Sequence, residues 1–351
     1  MLALCAATLL AHTFIAAHKN APPLHKPEPL SASALKSRMR VSSLHERNVH
    51  RDGYDMKRLI EAFPALQPSI ILSKAGIPTI DFANEHSVTL LNQALLVTDY
   101  KIQQWKLPSG YLCPSVPGRA DYIHHVADLM ASHNSGIIPR GQGIRVLDIG
   151  VGANVIYPIV GIKSYDWSYV GSDIDNTALQ SARAIIECNS SLAENLTLRP
   201  QKNNTHYFKG IVGNEDEFDL VVCNPPYYTS DKEANEATAR KWKNLGKSEV
   251  MGNKRTFGGK SGELFCEGGE VYFIRKMIEE SFFFARRCYW FTTLVSRQEH
   301  MHLLHKALHR LRPAEVHVIQ MTHGQKSSRI LAWTLMSIEQ RREWRARRFW
   351  D

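Results

Sequence analysis

The feature that most limits how this chain can fold is an alternation through its second half. Short apolar runs, each ending in an acid or a turn, are separated by stretches with helical spacing. Ile144 to Ile149 (IRVLDI) leads into Gly150-Val151-Gly152, and a helix follows. Tyr169 to Asp173 is a second strand. The next helix starts near Asp175 or Asn176, either of which can cap its free N–H groups. Ala178, Ala182 and Ile185 mark its buried face. Leu196 to Leu198 is a weaker third strand and Phe218 to Cys223 a fourth. A helix over 270–285, with Val271, Ile274, Ile278, Phe282 and Ala285 on one face, precedes a fifth strand at Tyr289 to Val295. The last two strands are Val316 to Gln320 and Ile330 to Leu335. Strands alternating with helices predict an α/β fold, a mostly parallel sheet covered on both faces. The final connection, around Gly324, is too short for a crossover helix, so the sheet should end in an antiparallel hairpin.

Ahead of this region the periodicity predicts a helical cap. One helix spans Val88 to Trp105, burying Val88, Leu91, Leu95 and Ile102 and ended by Pro108 and Gly110. A second runs from about Ala120 to Ser132 and buries Ile123, Val126 and Met130. The run Leu2 to Ala17 is uncharged and rich in Leu and Ala, but no positive leader precedes it. It also falls short of the about 20 apolar residues that a membrane helix needs. Residues 18–43, with Pro22, Pro23, Pro27 and Pro29, read as a linker, and Met39 is an alternative start. The expected organisation is an extension and linker over 1–43, a basic arm and helical cap over 44–140, an α/β domain over 141–340 and a basic tail over 341–351. The His-rich segment 44–58 is either a solvated arm or one that faces RNA. The tail, with arginines interleaved with Trp344, Phe349 and Trp350, is either RNA-facing or a frayed helix.

Charge and cysteine usage narrow the class of partner. Lys and Arg total 43 against 34 Asp and Glu, a net charge of +9 over 351 residues. That excess fits a polyanion, and a run of Lys, Arg and Gly over 228–262 reads as an RNA-binding flap. The six cysteines, Cys5, Cys113, Cys188, Cys223, Cys266 and Cys288, form no C-x-x-C pair and keep no zinc-ligand spacing to a histidine pair. They read as reduced thiols of a cytoplasmic protein that needs neither metal nor membrane.

Two motifs carry the chemistry. Asp148, Gly150, Gly152 and Asn154 lie in a glycine loop after the first strand of the α/β region, where the backbone can approach a ligand at the strand's carboxyl end. The dinucleotide fingerprint fails, because Val155 stands where its third glycine belongs. Asp173, ending the next strand, is placed to accept bonds from ribose hydroxyls; Asp175 fits a capping role better. The second motif, Asn224-Pro225-Pro226-Tyr227, directly follows the fourth strand. Two prolines stiffen the turn and remove two donors, leaving the Asn224 amide oxygen and the Pro225 carbonyl as acceptors. The adenine N6 amine is a poor nucleophile, since its lone pair is delocalised into the ring. Two acceptors on its N–H groups would pull the nitrogen toward tetrahedral geometry and aim that lone pair, so catalysis is by positioning. Tyr227 offers a face on which an extruded base can stack.

N-P-P-[YF] after a fourth strand marks methyltransferases that act on amino groups of adenine, cytosine or glutamine. Five blocks are more specific: PGRADYIHH at 117–125, LDIGVGANVIYPIVG at 147–161, CNPPY at 223–227, LFCEGGEVYFIRKMIEES at 264–281 and GQKSSRILAWT at 324–334. Over roughly residues 44–340 they resemble the ribosomal RNA large subunit methyltransferase F family. The resemblance implies a Rossmann-like class I methyltransferase fold with a seven-strand sheet, S-adenosylmethionine as cofactor, and transfer to N6 of one adenine in 23S rRNA, free or in a large-subunit assembly intermediate, by a monomer. It implies that Arg119, Gly150, Asn154, Asp173 and Asn203 line the cofactor and that Asn224 orients the target amine. The family usually has Phe at the position of Tyr227 and often Glu at that of Asp173. Two other readings stay open: a glutamine-N5 protein methyltransferase, and a non-catalytic RNA-binding protein that keeps the fold.

Overall fold

A computed structural model describes residues 44–228, 266–323 and 326–348. The extension and linker, nearly all of the basic 228–262 segment and the last three residues of the tail lie outside these. Apolar runs become the centre of a seven-strand sheet. Its strands are β3 (Arg145–Ile149), β4 (Ser168–Asp173), β5 (Leu196–Pro200), β6 (Phe218–Cys223), β7 (Cys288–Val295), β8 (Glu315–His323) and β9 (Lys326–Thr334), in the order β5-β4-β3-β6-β7-β9-β8. A separate hairpin, β1 (Ile70–Leu72) with β2 (Pro78–Ile80), lies upstream. The first five strands of the large sheet are parallel, and β9 runs antiparallel to both β7 and β8. This is the expected α/β sheet with its terminal hairpin. Every residue of β6 and β7 is buried, as strands covered on both faces must be.

The helices are α1 (Met56–Ala62), α2 (Glu85–Tyr100), α3 (Val116–Ser132), α4 (Ile156–Tyr165), α5 (Asn176–Glu187), α6 (Ser190–Ala193), α7 (Gly269–Ser281), α8 (Met301–Leu311) and α9 (Ile338–Arg348). Side chains of β6 alternate between two apolar clusters. Leu220 and Val222 join Leu95, Tyr122 and Ile159 on the face covered by the cap and α4. Val221 and Cys223 join Ile274, Ile278 and Leu304 of α7 and α8 on the other. That alternation is the period of two of an extended strand. The cap therefore shares its core with the sheet.

Several local expectations need correction. The helix expected to reach Trp105 ends at Tyr100, where Lys101 turns left-handed (φ 55°). Ile102 and Trp105 are still buried, but from an irregular segment in which Trp105 Nε1 donates to the Asn154 carbonyl (2.9 Å). The helix expected to run to residue 285 is α7, which stops at Ser281, so Phe282 is exposed rather than buried. The His-rich start is not a free arm over 45–50. His45, Asn48 and His50 are buried, the His45 N–H donates to Asp121 (2.6 Å), and Asn48 Nδ2 donates to the Pro117 carbonyl (2.9 Å).

The basic tail likewise has a different use. Helix α9 docks on the sheet, and Trp344 Nε1 (2.7 Å) and Arg348 Nη2 (2.8 Å) both donate to Asp219, a fully buried carboxylate on β6. Arg345 donates to the Tyr289 hydroxyl (2.8 Å), and Arg341 pairs with Glu315. A buried acid needs compensating donors, and the tail supplies them. Among the described residues no helix is long and apolar enough to cross a membrane.

Candidate active site

Strand β3 lies between β4 and β6, so connections leave it toward opposite sides and open a crevice at the strands' carboxyl ends. A cavity of about 910 Å³ occupies this place. Its floor is the loop after β3. Gly150 and Gly152 have φ of +74° and +67°, a left-handed backbone that favours glycine. Gly150 N–H donates to the Ser172 carbonyl (2.9 Å), and Gly152 N–H to Asp173 Oδ2 (2.9 Å). The loop is thus tied to the end of β4 and keeps its shape. Asp173 Oδ1 accepts from Asp175 N–H (2.9 Å), while Asp175 caps α5 through Thr177 N–H (2.8 Å). Asp175 therefore takes the capping role, as expected, and Asp173 lines the cavity. Each Asp173 oxygen keeps a second lone pair for a ligand. Burial raises the Asp173 carboxyl above its ordinary range, against the pull of these backbone bonds.

The rigid turn forms another wall. Asn224 and Pro226 line the cavity. Arg119 Nη1 donates to Asn224 Oδ1 (3.1 Å) and to the Tyr157 hydroxyl (3.2 Å), and the Tyr227 hydroxyl also donates to Asn224 Oδ1. The amide oxygen is therefore held by two donors, one from α3 and one from the turn itself. Behind the turn, the Cys223 N–H donates to the Tyr122 hydroxyl (3.4 Å), which donates to Thr292 Oγ1 (2.7 Å), which donates to the Val221 carbonyl (2.7 Å). This chain fixes the end of β6 from which Asn224 projects.

Of the residues singled out from the sequence, Arg119, Gly150, Gly152, Asn154, Asp173, Asn224 and Pro226 line the one cavity. Four do not. Pro225 is buried and Tyr227 turns its hydroxyl to Asn224. Asp148 lies beneath the loop, 1% exposed, with neither carboxyl oxygen hydrogen-bonded. Burial, and then the Asp173 charge, push its pKa well up. Asn203 folds back onto Thr205, its Oδ1 accepting from that residue's N–H (2.9 Å), while its neighbours Gln201 and Asn204 reach the cavity. The correction is local: Asn203 makes an Asx-type turn, and that turn aims the next side chain inward.

Sequence reasoning missed Tyr157, Tyr272, Phe273 and Lys276, which also line the cavity. The last three lie at i, i+1 and i+4 near the start of α7, a spacing that puts them on one side of a helix. Cys266 and Glu267 complete the rim, and Cys266 N–H donates to the Tyr228 carbonyl (3.1 Å). The two ends of the undescribed basic segment therefore meet beside Pro226.

Residues 38–337 match a protein family described as RNA methyltransferase. The chain belongs to that family. This RNA methyltransferase is 46% identical over 324 residues to the ribosomal RNA large subunit methyltransferase F of Serratia proteamaculans (strain 568), covering 92% of this chain and 96% of that one. It is 47% identical over 308 residues to the protein of the same name from Stutzerimonas stutzeri (strain A1501), covering 87% and 94%. Among solved structures, the hMettl16 catalytic domain in complex with a MAT2A 3'UTR hairpin shares the fold, with a TM-score of 0.71 and 23% identity over 84% of this chain and 96% of that one. The N-terminal domain of human METTL16 in complex with SAH does so at 0.65 and 22%, over 84% and 99%.

The cavity of the methyltransferase fits S-adenosylmethionine. It offers a backbone cradle and, in Asp173, a carboxylate at its rim that can accept from a diol.

Proposed function

We propose that this methyltransferase transfers a methyl group to the N6 amine of an adenine in 23S ribosomal RNA. One observation carries the reading: the acceptor turn and the glycine cradle are walls of the same cavity. The curated relatives' name supplies the substrate class, large-subunit ribosomal RNA.

When bound, S-adenosylmethionine supplies an electrophilic methyl on a sulfonium. Gly150, Gly152 and Asn154 hold the donor by backbone and amide contacts, and Asp173 accepts from its ribose hydroxyls. Asn224 Oδ1 and the Pro225 carbonyl accept the two N–H groups of the target amine and hold its lone pair toward the donor. Both lone pairs of Asn224 Oδ1 are engaged by Arg119 and Tyr227. The incoming amine takes the place of the Tyr227 hydroxyl, and the freed ring stacks on the base. Arg119 stays, keeping the amide oxygen inward. The methylated nitrogen is a strong acid while cationic and gives its proton to water, so no dedicated base is required.

The test is transfer of labelled methyl from S-adenosylmethionine to a 23S rRNA transcript and, in a parallel reaction, to ribosomal protein, followed by nuclease mapping of the RNA product. Label in N6-methyladenine at one site is the expected result. Label confined to protein glutamine, or cofactor binding without transfer, would overturn the assignment.

A further inference from the structure

Away from the donor cavity, three side chains of ligand type converge from distant parts of the chain. His133 caps the carboxyl end of α3, and Glu315 and His317 stand two apart on β8, so both project from one face. His133 Nε2 lies 3.1 Å from Glu315 Oε1, and His317 Nε2 lies 2.6 Å from that same oxygen. One nitrogen or oxygen from each residue falls within 4.8 Å of the others. His133 and Glu315 are 182 residues apart, so no linear spacing could reveal the cluster.

The hydrogen bonds around His133 fix which ring nitrogen faces the cluster. Its Nδ1 faces the Leu129 carbonyl oxygen (3.3 Å) and Ser132 Oγ (3.0 Å). The serine hydroxyl already donates to that carbonyl (2.7 Å), so both neighbours of Nδ1 are acceptors. Nε2 is thereby turned toward Glu315 Oε1, and a second imidazole nitrogen points at the same oxygen. Histidine ligands of metals are oriented in this way, with the other ring nitrogen donating to a carbonyl. Arg341 holds Glu315 Oε2, leaving Oε1 for the two imidazoles. The buried Trp290 ring packs edge-on to both, at 5.2 Å and 5.5 Å between centroids, and gives the site an apolar floor.

We propose that His133, Glu315 and His317 bind a divalent transition-metal ion of the zinc class. Two imidazoles and one carboxylate suit zinc and its neighbours, whereas magnesium and calcium prefer all-oxygen sets. Ligand atoms around tetrahedral zinc stand about 3.3 Å apart, given bonds of about 2.0 Å. The His133–Glu315 separation meets this, and a small outward shift of the half-exposed His317 opens the other. Three protein ligands leave one position for water. Glu315 pairs with Thr334, one step before the Val316, Trp333 and Phe291 row, so the site lies at the amino end of the sheet. The donor cavity is at the carboxyl ends, and the metal is a cross-link rather than a reactant. It joins α3 to the edge strand and, through Arg341, to α9.

The test uses the full-length protein stripped by chelator and titrated with Co²⁺ and then Zn²⁺, with thermal midpoint as a second reading. The expected result is one equivalent of cobalt with the visible absorption of a low-coordinate site, displaced by zinc, and a midpoint that rises with zinc. His133→Ala and His317→Gln should each weaken binding at least tenfold and remove the rise. Zinc taken up by the five described free cysteines persists in both variants, so the comparison isolates the cluster. No cobalt spectrum in the unaltered protein, or equal affinity in the variants, would show an imidazolium–carboxylate ion pair instead and overturn the proposal. Should His133→Ala fail to fold, His317→Gln, at a more exposed position, carries the comparison alone.

Discussion

At the residue scale the Asn224 amide oxygen is an acceptor already filled by two donors, Arg119 and Tyr227. Its replacement removes the turn's amide acceptor while leaving both prolines in place. Asn224→Ala is expected to abolish methyl transfer, leave S-adenosylmethionine affinity within about threefold and keep the thermal midpoint; transfer assays and calorimetry check this. Tyr227 separates two contributions. Tyr227→Phe deletes the hydroxyl that competes for Asn224 but keeps the ring, so kcat/KM should stay within about threefold. Tyr227→Ala deletes the stacking face, worth about 1–3 kcal/mol per base, so kcat/KM should fall by about tenfold to a hundredfold. Equal activity of the two variants would argue against a stacked base. That Asn224 faces the cavity was legible from sequence because a rigid Pro-Pro turn after a strand leaves few options, whereas Tyr227, read there as a stacking face, turns its hydroxyl to Asn224 and does not line the cavity. The place of Asn203 was not legible, since a loop's direction depends on turns such as its own bond to Thr205.

At the scale of elements, α9 is the clearest departure from expectation. Arginines alternating with aromatics have the composition of an RNA contact, yet here they answer acids of this chain: Arg347 pairs with Glu217, Arg341 with Glu315, and Trp344 and Arg348 with Asp219. Charge composition alone cannot say which partner a cation takes. Trp344→Phe removes one donor to a carboxylate that has no access to water. It should cost about 1–3 kcal/mol of stability, read as a lower urea midpoint, with kcat unchanged because Asp219 sits in the strand's interior and not in the cavity. The helices covering the sheet were foreseen where apolar spacing was strong, as in α5, whose Ala178, Ala182 and Ile185 are all buried. Their ends were not: α2 stops at a left-handed Lys101, and α7 stops short of the Phe282–Phe284 turn.

Across the whole molecule, the cap and the α/β sheet form one core, and buried histidines in the cap link its stability to pH. His124 sits under α4 with Nδ1 2.7 Å from the Tyr165 hydroxyl; burial, and then the neighbouring His45 and Arg47 charges, lower its pKa from 6.5 to about 4. Burial lowers His50 similarly, to about 4, the nearby Asp99 opposing it. Unfolded, both imidazoles take a proton near 6.5. The unfolded state therefore binds more protons between these values, and stability, full above 6.5, falls as pH drops toward 4. Each histidine contributes a slope of about 1.4 kcal/mol per pH unit in that window. Urea midpoints at several pH values should show it, and His124→Gln should roughly halve it; an unchanged slope would place the titration elsewhere. Carboxylates such as Asp216, held low by Arg199 and Arg145 against its burial, lose their contribution only at more acidic pH. What the sequence by itself determined is what short-range physics controls: strand and helix periods, the glycine cradle, the Pro-Pro turn and so the sheet with its crevice. Tertiary structure alone decided which distant groups meet. It set Arg119 against Asn224, gave Asp219 to Trp344 and gathered His133 with Glu315 and His317, because such pairings depend on how whole elements pack and leave no mark in local spacing.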